Sequence, residues 1–283
     1  MLVSDNISNI QKVLSKHKRA NKTVGFVPTM GALHQGHLSL IKAAKEKCDI
    51  VVVSIYVNPT QFNNADDLSA YPRTLKEDIE KITPFDVDVL FTPSDEIMYA
   101  SKSSININFG DLENVMEGSF RPGHFSGVGI IVTKLFNIVN PDFAFFGQKD
   151  FQQLTIIRKM VNEFLFPIEI IAVPIEREPH GLAMSSRNER LSKEDRQEAS
   201  IFYNTLNRVK ELILNNDNVS SSTILKETES IFEKSTAKLE YLEIVSDTDL
   251  KPKSSNYKAK DTVLCIAGYI GNVRLIDNMY LIS

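Results

Sequence analysis

His34 and His37 lie three positions apart in the run Pro28-Thr29-Met30-Gly31-Ala32-Leu33-His34-Gln35-Gly36-His37. At helical spacing, that separation puts both imidazoles on one side of a first turn. The run follows apolar Val24-Gly25-Phe26-Val27 and precedes an amphipathic stretch from Leu38 to Cys48, so it reads as a turn from a strand into a helix. Unpaired N–H groups and the positive dipole end at a helix start suit an anion. Gly31 and Gly36 allow a ligand close to the backbone. The chemistry this predicts is phosphate handling. Two close imidazoles are also half of a metal site. That is the minor reading, because neither Cys48 nor Cys265 has zinc-finger spacing and the pattern is not His-Glu-x-x-His.

Further clusters fall where strand patterns give way to helix patterns, the side on which open α/β sheets bind ligands. Val57-Asn58-Pro59-Thr60-Gln61-Phe62 offers two neutral amides, suited to the hydroxyls and carboxylate of a small substrate, and equally to a turn set by Asn-Pro. Tyr71-Pro72-Arg73-Thr74 is followed by Glu77 and Asp78, placed either near a magnesium ion on a triphosphate or on a solvated helix face. Phe145-Phe146-Gly147-Gln148-Lys149-Asp150 repeats the strand–Gly–helix design, with Gln153 on the same face as Lys149. A lysine at a helix start is unfavourable unless an anion is present, since ammonium and dipole end are both positive. In Gly181-Leu182-Ala183-Met184-Ser185-Ser186-Arg187-Asn188, two hydroxyls and a guanidinium can hold phosphate oxygens, although Ser-Ser-Arg-Asn also suits a domain linker.

The elements that must position these groups follow from periodicity. Strands are predicted at Thr23–Val27, Ile50–Val57, Val87–Phe91, Phe143–Phe146 and Ile168–Pro174. Helices are predicted at Ile7–Lys18, His37–Lys47, Thr74–Ile82, Gly127–Val139 and Lys149–Phe164. This alternation predicts an α/β fold with a parallel sheet. Ser101–Ser119 reads as an excursion in which Ile105, Ile107 and Phe109 alternate like a strand. Beyond Arg177 the pattern changes to helices at Lys193–Leu214 and Ser222–Lys234, then strands at Leu239–Val245, Thr262–Ile270 and Val273–Ile282. Gly271-Asn272 signals a hairpin, Asn215–Ser222 reads as a linker, and the whole tail reads as a smaller α+β domain.

Bulk composition narrows the partners. A chain of 283 residues with 42% hydrophobic content can bury a sizeable core, and a net charge of −4 argues against a nucleic-acid partner. Two cysteines make no disulfide framework and fit a reducing compartment. Met1 to Lys22 lacks the apolar core of a signal peptide, and no apolar run reaches the roughly 18 residues a membrane helix needs. The expectation is a cytoplasmic protein with no membrane partner.

His-x-Gly-His and the Met184-Ser185-Ser186-Arg187 loop resemble the paired signatures of the nucleotidylyltransferase and class I aminoacyl-tRNA synthetase superfamily, whose members attack the α-phosphate of ATP. With Val57-Asn58-Pro59-x-Gln61-Phe62, Tyr71-Pro72-Arg73-Thr74 and Phe146-Gly147-x-Lys149-Asp150-x-Gln152-Gln153, in collinear order, the chain resembles the pantoate–β-alanine ligase family. The resemblance implies a Rossmann-type domain over residues 1–176 that binds ATP and pantoate, a small C-terminal α+β lid domain over 177–283, dependence on Mg²⁺, and a homodimer. It implies ATP-dependent condensation of (R)-pantoate with β-alanine to pantothenate, AMP and pyrophosphate, through a pantoyl-adenylate.

Carried over residue by residue, the resemblance implies ATP contacts from Met30, Gly31, Ala32, Leu33, His34, Gln35, Gly36 and His37, from Gly147, Gln148, Lys149 and Asp150, from Glu176, and from Met184, Ser185, Ser186 and Arg187. Gln61 and Gln153 carry over as pantoate contacts, Gln61 also near β-alanine, with Asn58 and Arg121 as further substrate contacts. His37 carries over as a proton donor, and His34, Lys149 and Arg187 are expected to stabilise the departing pyrophosphate. Asp78 and Glu77 are the candidate metal contacts. The chain departs from the family pattern at His180, where Asp is expected, and at Glu176, where an apolar residue whose backbone meets adenine is usual. The competing expectation is a nucleotidyltransferase releasing an adenylylated product, which would share His34, His37 and the Ser185-Ser186-Arg187 loop but need neither an amine site nor paired glutamines.

Overall fold

A computed structural model of the chain describes residues 1–101, 104–216, 219–255 and 257–282. Parts of the expected excursion over Ser101–Ser119 and of the expected linker over Asn215–Ser222 lie outside the described residues. The chain divides into two compact units, the first made of Met1–Gly147 and Ile156–Pro174, the second of Gln148–Thr155 and Ile175–Ser283.

In the first unit the elements run β1 (Leu2–Ser4), α1 (Ile7–Arg19), β2 (Val24–Thr29), α2 (Gln35–Lys47), β3 (Ile50–Ile55), α3 (Ala65–Ser69), α4 (Leu75–Ile82), β4 (Val89–Phe91), α5 (Asp95–Met98), α6 (Met116–Phe120), α7 (His124–Val139) and β5 (Phe143–Gly147). Helix α8 (Phe151–Glu163) begins in the second unit and ends in the first, and β6 (Glu169–Val173) closes the set. The strands form a six-stranded parallel sheet in the order β1-β4-β3-β2-β5-β6. The order reverses between β2 and β5, and the carboxyl ends of strands at such a switch point are where α/β sheets take ligands.

Alternation across the pleat explains why β2 and β3 are apolar on both faces. Val27, Val51, Val53 and Phe145 pack with Leu40, Ile41 and Ala44 of α2 and Ile82 of α4. On the other face, Phe26 meets the Phe136 ring of α7 edge-on at 6.4 Å, and Phe136 meets Phe146 and Phe166 in the same manner. Ile107 and Phe109, whose alternation suggested a strand, lie in no strand. They seat against Gly129 of α7, so helix packing accounts for their apolar character. The three-residue β1 was not legible, because so short an edge strand depends on pairing with β4.

The second unit holds α9 (Lys193–Glu198), α10 (Ser200–Asn215), α11 (Ser221–Phe232) and the antiparallel sheet β7-β8-β9 (Lys238–Ser246, Thr262–Ile270, Val273–Tyr280). The single helix expected over Lys193–Leu214 is interrupted at Ala199. Phe202, Leu206, Val209 and Ile213 of α10 pack with Ile224 and Phe232 of α11 and with Leu264 and Ile266 of β8. The expected hairpin forms at Gly271-Asn272, with Ile270 opposite Val273 and Gly271 at a left-handed φ of +54°.

One close approach in the first unit yields a test. A Cβ on Gly127 of α7 would stand 2.4 Å from Thr60 O and 2.8 Å from Gln61 N, backbone atoms that cannot swing aside. In an open helix, Gly→Ala gains about 1 kcal/mol. Gly127→Ala is instead expected to destabilise by about 1–3 kcal/mol in equilibrium urea unfolding. A stabilised variant would show that α7 does not seat the 58–61 turn.

Candidate active site

The turn after β2 is built on a buried carboxylate. Gly31 and Ala32 both have positive φ, +82° and +49°, a conformation unfavourable for alanine. Asp78, 0% exposed on α4, compensates by accepting the Ala32 N–H at 2.9 Å on Oδ2 and the Leu33 N–H at 2.7 Å on Oδ1, with the Thr74 hydroxyl donating at 3.2 Å. Lys81 Nζ donates to Leu33 O at 2.7 Å, and Thr29 Oγ1 accepts the Gly31 N–H at 3.2 Å. Asp78, expected at a metal, has both oxygens committed to this backbone, and Glu77 is exposed. Among the described residues no group of three or more His, Cys, Asp or Glu side chains is arranged to hold a metal ion.

The first turn of α2 differs from the expected array of unpaired N–H groups. His34 is the N-cap: its Nδ1 accepts the Gly36 N–H at 3.1 Å, while Nδ1 of His37 accepts the His34 N–H at 3.3 Å. The His37 and Leu38 N–H groups are bonded to His34 O. The two rings lie 4.1 Å apart, centroid to centroid. A ring nitrogen that accepts an N–H carries no proton, so each neutral imidazole has its hydrogen on Nε2. The reciprocal cap thus brings two imidazoles together at this helix start, each accepting an amide hydrogen on Nδ1.

After β3, Asn58 is 1% exposed and fully engaged inside the protein. Its Nδ2 donates to Gln61 Oε1 at 3.1 Å and to Gly127 O at 3.2 Å, while Oδ1 accepts from Tyr99 Oη at 2.8 Å and Thr60 Oγ1 at 3.0 Å. No capacity is left for the substrate contact expected of Asn58, and its effect is to orient Gln61. With Oε1 held by Asn58, Gln61 turns Nε2 toward Met30 Sδ at 2.9 Å, a weak acceptor. His124, at the start of α7, was not singled out from sequence. Its Nδ1 lies 2.8 Å from Gln61 O, which can only accept, so Nδ1 carries the proton and Nε2 accepts from Arg121 Nη1 at 3.2 Å. Met30, Asn58, Gln61 and Arg121 therefore belong to one bonded cluster, which His124 completes.

In the second unit, Glu176 to Met184 forms a tight hairpin through Met184 N–H to Glu176 O and Glu178 N–H to Leu182 O. Gly181, at its tip, has φ +101°. At its base Arg177 binds Asp277 of β9 bidentately, Nη1 to Oδ2 at 2.6 Å and Nη2 to Oδ1 at 2.9 Å. Ser185 Oγ accepts the Arg187 N–H at 3.3 Å and keeps its own hydrogen to donate. Asn188 Nδ2 and the Arg196 guanidinium both donate to Glu178. His180 answers its departure from the family pattern: its Nε2–H donates to Arg196 O at 2.9 Å, a bond an aspartate could not make. Lys149 precedes α8, half-buried and 3.9 Å from Asp150, and Gln153 is half-buried on that helix. Apart from Glu77, Asp78 and Gly147, which ends β5 in the first unit, each expected site residue lies either in the first-unit cluster and its turn or on these second-unit segments.

The comparisons with known proteins concern the chain as a whole. A family model described as pantoate-beta-alanine ligase matches residues 2–280. Proteins named pantothenate synthetase from Thermoanaerobacter pseudethanolicus and Flavobacterium psychrophilum are 43% and 45% identical to it, over 99% of this chain and 98% and 100% of theirs. The crystal structure of pantothenate synthetase from Thermus thermophilus is similar over 100% of both chains, with a TM-score of 0.92 and 37% identity. The Francisella tularensis pantoate-beta-alanine ligase, complexed with beta-gamma ATP and beta-alanine, is similar with a TM-score of 0.78 and 38% identity, over 99% of this chain and 98% of that one.

Glu178 supplies a pH test. Burial raises its carboxyl, but hydrogen bonds from Arg196 and Asn188 and the Arg196 charge outweigh this and hold it below the ordinary 4.5. A depressed carboxyl contributes stability above its unfolded value and loses it as pH falls through the folded one. The thermal midpoint of the protein should therefore drop as pH falls below 4.5. Glu178→Gln should be less stable at neutral pH and lose less over that acid window. Equal acid losses in both proteins would remove Glu178 from the response.

Proposed function

The chain belongs to the pantoate–β-alanine ligase family, and on that premise we propose that it joins pantoate to β-alanine in two steps driven by ATP. A pantoate carboxylate oxygen attacks the α-phosphorus of ATP and pyrophosphate leaves. The β-alanine amine then attacks the acyl carbon of the mixed anhydride, the C–O bond to phosphate breaks, AMP leaves and the amine loses a proton. The observation that carries this reading is the reciprocal cap of His34 and His37, which gathers two imidazoles at the helix start that follows β2.

The first step brings anions together and proceeds only where their charge is offset. His34 and His37 donate to the triphosphate, with His37 as the proton donor, and the backbone of Met30 to His37 follows its contour. Lys149 and Arg187 follow the charge as it moves to pyrophosphate, with the hydroxyls of Ser185 and Ser186 as neutral donors. Gly147, Gln148, Asp150, Glu176 and Met184 complete the ATP contacts. Gln61 and Gln153 hold pantoate, and Arg121 is the cation for a substrate carboxylate. Mg²⁺ is read as held by triphosphate oxygens, where it would add charge neutralisation, because Asp78 is committed to backbone amides. The same reading makes the protein a cytoplasmic homodimer, in keeping with its two free cysteines.

Isotope exchange tests the order of steps. With ATP, Mg²⁺ and pantoate, labelled pyrophosphate is expected to enter ATP without β-alanine, and pantothenate and AMP should appear only when β-alanine is added. Exchange that depended on β-alanine would overturn the two-step order, and an adenylylated product that persists with β-alanine present would favour a nucleotidyltransferase.

Gln61→Ala tests the acid pocket. Losing one hydrogen bond to a charged group costs about 1.5–3 kcal/mol, so kcat/KM for pantoate should fall about ten- to a hundredfold. ATP affinity by calorimetric titration should change less than about twofold, below the energy of a single neutral hydrogen bond. Equal losses for both substrates would move pantoate to other residues.

A further inference from the structure

Burial alternates along β9 from Val273 to Ile276 and is then broken by Asp277 and Asn278, two consecutive polar residues each 4% exposed. Successive residues of a strand face opposite sides, so burying both requires a partner on each face. Asp277 has Arg177, which also donates to Gly181 O at 3.0 Å and lies over the Tyr203 ring at 4.3 Å. Asn278 has the segment that leaves β5: its amide gives both hydrogens away, one to Gln148 O and one to Lys149 O, each at 2.9 Å. Tyr280, two residues on and so on the same face, meets the Phe151 ring edge-on at 6.0 Å.

Two consecutive carbonyls converging on one amide pin the backbone on both sides of the Lys149 Cα. Two donors from one short side chain are what asparagine supplies; aspartate offers none when ionised and serine offers one. The neighbouring Asp277 meanwhile anchors the base of the hairpin that leads to Met184 and Arg187. We propose that Asn278 is a positioning residue for phosphoryl chemistry, acting through Lys149, with Asp277 doing the same for the Arg187 loop through Arg177. This rests on the ligase reading above. Asn278 touches no reacting atom; it sets where the ammonium stands, and misplacement by a fraction of an ångström weakens transition-state electrostatics more than ground-state binding.

A double-mutant cycle on pyrophosphate exchange tests it, with Asn278→Ala made in the native chain and in a Lys149→Ala background. Lys149→Ala is expected to lower exchange by about 10²–10³. Asn278→Ala should lower it about tenfold or more with pantoate KM unchanged, and should cost almost nothing further once Lys149 is gone, because coupled residues are not additive. Asn278→Ser, which keeps one donor, should show an intermediate loss that also disappears in the Lys149→Ala background, and it carries the cycle if the alanine variant does not fold. A loss that persists unchanged without Lys149 is structural and overturns the proposal, as does native exchange in Asn278→Ala. These outcomes leave the ligase reading intact, whereas a native protein without pantoate-dependent exchange overturns that reading and this inference together.

Discussion

The carboxylate of Asp78 is the constraint on which the rest of the first-unit site depends. Two consecutive left-handed residues, Gly31 and Ala32, give the chain the bend that carries β2 into α2, and the alanine among them has a steric cost. Asp78 offsets it by satisfying the N–H groups that this bend points inward, at 2.9 and 2.7 Å. Its charge is buried at 0% exposure, a placement that would be costly without those donors. Once the bend is held, His34 falls at the N-cap and the two imidazoles close on one another.

That closure changes what the helix start presents. Backbone amides at a bare N-terminus bind an anion through short, fixed groups. Here amide hydrogens are consumed by Nδ1 atoms and by His34 O, and the two rings stand 4.1 Å apart at the helix start. Asn58 works on the same logic one strand over. A residue whose chemistry suggested substrate contact is saturated by Gln61, Gly127, Tyr99 and Thr60, and Gln61 carries the consequence. In the second unit, Asn278 and the Arg177–Asp277 pair do for two loops what Asp78 does for one.

Much of this was legible along the chain. The strand and helix alternation follows from periods of two and 3.6 residues, which depend only on neighbours in sequence. Thr262–Ile270 and the Gly271-Asn272 turn were read correctly for that reason. What stayed illegible lies where a local pattern serves a distant purpose. Ile107 and Phe109, left as part of an excursion, alternate because they pack on Gly129, and Leu2–Ser4 is a strand only because β4 lies beside it.

The sequence by itself determined the α/β order of the first unit, the antiparallel hairpin of the second, and the motifs that place the chain in its family. Only the tertiary structure decided which polar groups are spent and which remain to act. It decided which ring nitrogens of His34, His37 and His124 face donors and acceptors, engaged both oxygens of Asp78 with backbone amides and the amide of Asn58 with its neighbours, and brought Asn278 to Lys149 from 129 positions away. The physical reason is that a side chain's chemistry is written in its type, but its remaining hydrogen-bond capacity is set by whatever lies within about 3 Å in space. A carboxylate facing a metal and a carboxylate holding two backbone amides are the same letter in the chain.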